Sequence, residues 1–180
     1  MNQVTPDLWN AYEANDPRRD LSIQNGYTTA SGAIVDVKFP IKWKDTTAEV
    51  DGLREAADNN FIVLRYADVL LMIAEAKNAL NQDPTTEMNL VRQRAYGTNY
   101  ESHVFVSNTK VENDKAILQE RLFELVYEGK RWWDLVRFGK AFDLVPSLNS
   151  KMGQDYLLLF PISNGVLSLE PKVIQNPGYE

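Results

Sequence analysis

The stretch Ile117-Leu-Gln-Glu-Arg-Leu-Phe-Glu-Leu-Val-Tyr-Glu-Gly-Lys-Arg-Trp-Trp-Asp-Leu-Val-Arg-Phe-Gly139 decides the fold. Leu118, Leu122 and Leu125 recur at spacings of four and three, which puts them on one stripe of a helix. Asn113 or Asp114 supplies the cap at its start. Gly129 costs a helix about 1 kcal/mol relative to alanine, so it reads as a kink or turn into a further helix, Arg131 to Phe142. Glu120, Glu124 and Glu128 share another face, their Cβ atoms about 5–6 Å apart. Arg121, Lys130 and Arg131 are near enough to compensate these like charges. Leu122→Ala, on the inferred core stripe, is therefore expected to cost about 2–5 kcal/mol, and Glu124→Ala far less.

Working upstream, Phe61 to Leu80 carries a second helical pattern: Leu64, Ala67, Leu71, Ala74 and Asn78 on one face, widened by Leu70 and Ile73. Asn81-Gln-Asp-Pro84 ends it, and Thr85-Thr86 can start a shorter helix to about Ala95 with Met88 and Val91 inward and Gly97 as its stop. The short connection makes these two helices antiparallel neighbours. Tyr96 to Asn113 is a loop that holds the chain's one histidine, His103. Nearer the start, Leu8 to Glu13 forms a short helix that Asn15-Asp16-Pro17 stops, and Gly26 and Gly32 mark turns. Val35, Val37, Phe39, Ile41 and Trp43 alternate with Asp36, Lys38, Pro40 and Lys42, a half-buried strand that Pro40 places at an edge or bulge. Thr46 to Asn60 is polar connecting material. Downstream, Tyr156 to Phe160 reads as a short buried strand, and the Pro-, Gly- and Asn-rich tail must be tied down by tertiary contacts.

Four segments together resemble one family. They are the stretch above, Asn15-Asp-Pro-Arg-Arg19, Leu64-Arg-Tyr-Ala-Asp-Val-Leu-Leu-Met-Ile-Ala-Glu-Ala-Lys-Asn78 and Gln175-Asn-Pro-Gly-Tyr179. In this order they look like the SusD/RagB family of outer-membrane nutrient-binding lipoproteins, and specifically its C-terminal portion, because family members are much longer. The resemblance implies a mainly α fold with tetratricopeptide-like helix pairs, long irregular loops and minor β structure. It divides the chain into a loop and strand segment (1–60), helical pairs (61–142) and an extended C-terminal segment (143–180). It also implies a lipid-anchored parent at the outer-membrane surface, which binds oligosaccharide without catalysis and hands it to a SusC-type TonB-dependent transporter. The partners are then a glycan or other nutrient, that transporter and the N-terminal half of the parent chain. Met1-Asn-Gln-Val-Thr-Pro-Asp has neither the basic nor the apolar region of a signal peptide, so the chain reads as a soluble portion without signal or anchor cysteine.

Composition narrows the chemistry. With 19 Lys and Arg against 25 Asp and Glu, the net charge is −6, and no basic cluster suits nucleic-acid phosphates. There are no cysteines, hence no disulfide, thiolate metal site or cysteine nucleophile. One histidine without cysteine argues against a zinc site, so His103 reads as a solvated loop residue, and no metal or other cofactor is expected. A glycoside hydrolase needs carboxyls on both sides of the scissile bond, whereas Glu120, Glu124 and Glu128 project side by side; catalytic residues are expected to be absent. Glu128, Arg131, Asp134 and Arg137 step by three with alternating sign, an ion-pair ladder that fixes one helix against the next. Arg65 with Asp68 invites the same reading, and Arg92 and Arg94 can pair with these acids. Loops carry binding residues disproportionately, which makes Tyr96, Asn99 and Tyr100 the best local candidates for ligand contact. Two other classes stay open: a helical interaction module with no ligand site of its own, and, more remotely, a glycoside hydrolase.

Overall fold

The computed structural model describes residues 3–13, 15–44 and 60–179. Two short helices open it, and side chains start both. Thr5 accepts from the Leu8 amide ahead of α1 (Pro6–Ala11), and Asp16 accepts from the Arg18 amide ahead of α2 (Pro17–Ser22). Asn15-Asp16-Pro17 therefore starts a helix as well as following one, because proline at the first helical position lacks only an N–H that would be unbonded anyway.

An antiparallel hairpin follows, β1 (Ile23–Thr28) against β2 (Ile34–Pro40), running from Ile23 opposite Pro40 to Thr28 opposite Ile34. Gly26 lies within β1 at a register irregularity, with φ +74° and the Val35 carbonyl 2.8 Å from where a Cβ would stand. The expected strand ends at Pro40, short of Ile41 and Trp43, and most of the Thr46 to Asn60 connection lies outside the described residues.

The helical centre is α3 (Tyr66–Ala79), α4 (Thr85–Tyr96) and α5 (Lys110–Glu124), with α3 packed against both others. Leu71, Ala74, Met88, Val91 and Ile117 are almost fully buried. Helix α3 begins at Tyr66, later than expected, because Arg65 is extended, and Leu64 and Ile73 fall outside the core. Helix α5 is capped by Thr109, whose hydroxyl accepts from the Glu112 amide while the Glu112 carboxylate accepts from the Thr109 amide. Asn113, expected as a cap, is instead buried inside the helix and bonded to Asn78. A second apolar cluster joins Tyr12, Ile23 and Phe123, with the Tyr12 and Phe123 rings stacked at 4.4 Å.

After α5 the chain turns through Tyr127 (φ +63°) and Gly129 (φ +71°) into α6 (Arg131–Arg137). The chain forms two compact units, Met1–Arg131 and Trp132–Glu180. In the second unit the expected helix to Phe142 is cut at Gly139 (φ +63°), and α7 (Ala141–Leu144) is separate. Asp155–Leu158 is a 3₁₀ turn rather than a strand, with Leu159 and Phe160 exposed, since these residues find no strand partner. Beyond α8 (Asn164–Leu169) the tail is held by side chains. Gln175 bonds both backbone groups of Ile162, Asn176 donates to the Phe160 carbonyl, and the Tyr179 hydroxyl donates to that of Leu159.

Candidate binding cleft over a buried ion network

Glu120 and Glu124 stand on α5, and Glu128 stands in the turn beyond it; all three are buried, at 1%, 3% and 4% exposure. Unpaired burial of a carboxylate costs several kcal/mol, so each must be partnered. Arg18 reaches across from α2, bonded through Nε and Nη2 to Asp16 (3.0 and 2.8 Å) and through Nη1 to Glu120 (2.6 Å) and Glu124 (3.3 Å). Arg92 on α4 takes the second Glu120 oxygen at 2.7 Å. Arg65, just ahead of α3, spans Glu124 and Glu128, with Nε 2.8 Å from Glu128. Lys42 closes on Glu128 at 2.6 Å and donates to the Glu124 carbonyl. Arg94 adds a contact to the Glu124 oxygen that Arg65 also holds. Among the described residues the network thus sets five cations against four carboxylates. Nearby, Asp68 faces both Arg121 and Lys130.

These contacts set the protonation states. Burial works against charge on Arg18, yet its hydrogen bonds to Asp16 and the Glu120 charge outweigh it and hold the guanidinium well above its usual value. Burial likewise opposes ionisation of Glu128, but hydrogen bonds from Arg65 and Lys42 prevail and keep its carboxyl below the ordinary range. Lys42 is pushed down, chiefly by burial. A general acid needs a raised pKa, and Glu128 moves the opposite way. Among the described residues no cluster of His, Cys, Asp and Glu could hold a metal ion.

Above Glu124 and Glu128 opens a cleft of about 300 Å³ whose wall combines Leu21, Trp43, Ile62 and Phe123 with Lys42, Arg65 and Arg94. Mostly apolar walls with a few convergent charges are the usual make-up of a ligand site, and this volume lies at the small end of such sites. Trp43 is fixed there by its Nε1 donating to the Tyr127 carbonyl at 2.9 Å and by stacking on Phe61.

Tyr96 is 7% exposed: its hydroxyl donates to Asp16, and its ring stacks on His103 at 3.8 Å. Asn99 is exposed and Tyr100 half-buried, both in the 3₁₀ turn Gly97–Ser102. His103 is not solvated; its side chain is 9% exposed, with Nδ1 3.0 Å from Glu13 and Nε2 3.0 Å from Asn15. Glu128 lies outside both flanking helices, with Lys42 and Arg65 as partners, while Arg131 donates to the Leu118 carbonyl. In the second unit, Asp134 and Arg137 pair at 2.8 Å. Arg65 joins Glu124 and Glu128 rather than Asp68. The alternation that included Lys42 and Trp43 did not point to this cleft, because only tertiary packing brings the chain beyond β2 to it. The signal for Arg18 was the Asn-Asp-Pro-Arg segment.

Helix hairpins of tetratricopeptide type, a small β-hairpin and a side-chain-tied tail make this a mainly α protein with a cleft over a buried ion network. A sequence profile described as the SusD family matches residues 25–179, and the chain belongs to that family. SusD-like protein P38 of Formosa agariphila is 40% identical over 129 residues, covering 68% of this chain and 25% of that protein. Among solved structures, NanU of B. fragilis is similar with a TM-score of 0.73 and 32% identity, over 99% of this chain and 39% of its own. Surface glycan-binding protein A of Bacteroides fluxus gives 0.69 and 26%, over 98% and 40%. The chain thus spans between a quarter and two fifths of the length of these relatives.

Proposed function

We propose that this chain is part of a surface nutrient-binding protein that holds an oligosaccharide without catalysis and passes it to a SusC-type TonB-dependent transporter. Membership of the SusD family and the likeness to a surface glycan-binding protein support this reading. The observation that carries it on this chain is the cleft, where Trp43 and Ile62 offer apolar surface to a sugar ring beside charged groups for its hydroxyls. Asn99 and Tyr100, in their 3₁₀ turn, are a second place of contact, while buried Tyr96 is held by Asp16 and His103. The longer protein would be lipid-anchored at the outer-membrane surface; no helix among the described residues is long and apolar enough to cross a membrane. Affinity electrophoresis of the chain through gels of neutral and acidic polysaccharides tests the proposal. Retardation that Trp43→Ala weakens supports the cleft, and retardation that Tyr100→Ala weakens supports the turn. Migration unchanged by every polysaccharide sinks the reading for this chain.

A second reading is favoured by the outer face of α3. Tyr66, Val69, Met72, Ile73 and Leu80 are exposed there at 38–73%, an apolar surface of a kind that marks interaction sites. Its occupant would be a part of the longer relatives outside the stretch that this chain matches, which makes the hairpin a scaffold. The chain then self-associates with rising concentration in sedimentation velocity, and Ile73→Glu restores the monomer. A monomer at all concentrations removes this reading.

A further inference from the structure

The charges around the cleft do not balance. Among the described residues its network carries one cation more than it has carboxylates. This local positive surplus sits in a chain whose net charge is −6. The surplus can be assigned to one residue. The Arg94 side chain is 65% exposed, and it touches a Glu124 oxygen that Arg65 already occupies. Its remaining N–H groups make no hydrogen bond to the described residues. A guanidinium with open donors binds a carboxylate by two parallel hydrogen bonds, stronger and more directional than those to a hydroxyl. Arg94 lines the same cleft as Trp43 and Ile62, so a ring packed on the apolar wall can bring a carboxylate to it.

We infer that the cleft selects acidic sugars, with Arg94 receiving the carboxylate of a uronic acid residue. This rests on the glycan-binding reading and narrows its substrate class. Two features of the site agree with it. Glu124 and Glu128 are committed to Arg65, Lys42 and Arg18, so they offer no open carboxylate to repel the ligand. Arg94, by contrast, can turn toward a ligand without leaving Glu124 unpaired, because Arg18 and Arg65 remain.

The test is titration calorimetry of the chain with polygalacturonate and hyaluronan fragments, each beside its carboxyl-reduced form, and with a set of neutral oligosaccharides. Arg94→Gln and Arg94→Lys are measured in parallel, with circular dichroism and urea midpoints to show that both fold like the parent. The expected result is binding of at least one acidic fragment, at least about tenfold tighter than its reduced form, lost in Arg94→Gln and partly kept in Arg94→Lys. Equal binding of acidic and reduced forms, or binding of neutral sugars only, overturns the acidic selectivity and leaves glycan binding standing. Acidic binding that Arg94→Gln leaves unchanged overturns the assignment to Arg94. If no sugar of either kind binds, the glycan reading of this chain falls together with the inference.

Discussion

Glu124 reverses the usual logic of a helix face. From spacing, Leu122 belongs to the core and Glu124 to solvent; in the fold Glu124 is 3% exposed and Leu122 half-buried. The reason is long-range. The arginines that make burial of Glu124 tolerable come from Arg18, Arg65 and Arg94, and helical periodicity holds no record of residues so distant in sequence. Only the recurrence of Glu120, Glu124 and Glu128 on one face was legible, together with their structural role. Replacing one partner of a buried ion pair strands the other, a loss of about 3–5 kcal/mol. Glu124→Gln is therefore expected to lose that much in urea unfolding, and Leu122→Ala less than about 2 kcal/mol because it leaves only a half-buried gap. Leu122→Ala as the costlier of the two would place the network on the wrong face. Tyr96 teaches the same lesson among the ligand candidates: an aromatic next to a glycine reads as a loop residue, yet its hydroxyl finds Asp16 and its ring finds His103.

At the scale of elements, the existence of the helices was readable and their ends were not. The apolar spacing of α3, α4 and α5 is strong, but ends depend on single residues whose backbone angles show only in the fold. Gly139 cuts α6 from α7, and Thr109 starts α5 before the expected cap. The hairpin partner β1 was hidden because Ile23–Thr28 shows no clean alternation, being interrupted by Gly26 at the register irregularity. Two substitutions probe these devices. Thr109→Ala removes the hydroxyl side of the capping box and is expected to cost about 1 kcal/mol, read from the urea midpoint. Gly26→Ala meets two obstacles at once, the positive φ and the Val35 carbonyl 2.8 Å from the new Cβ. A loss above about 1 kcal/mol is expected, with broadened or shifted amide signals confined to β1 and β2. An unchanged midpoint would show that the hairpin slides to accommodate the methyl group.

For the whole molecule, the ion network and its tyrosines set a pH window of stability. The Glu128 carboxyl is held below its ordinary value, so the unfolded chain binds a proton more readily than the folded one. Its contribution is complete above the unfolded glutamate pKa of about 4.3 and is lost as pH falls through that value toward the folded one. Glu112 and Asp83, held low by hydrogen bonds from Thr109 and Thr85, work in the same direction at the surface. The alkaline side is set by burial. Tyr96 is pushed up to about 12, chiefly by desolvation and then by Asp16, and desolvation raises Tyr12 as well. A raised acid favours its neutral form in the fold. Its stabilisation is therefore whole below the unfolded tyrosine value of about 10 and declines as pH rises through the folded value. Urea midpoints measured across pH are expected to form a plateau bounded near these two unfolded values, with a fall on each side. Glu128→Gln lowers the plateau and flattens the acid slope while leaving the alkaline one; Tyr96→Phe does the converse on the alkaline side. If Tyr96→Phe instead leaves the alkaline fall intact, Tyr12 or another group carries it, and the Tyr96 hydroxyl is not ionising as the folded chain opens.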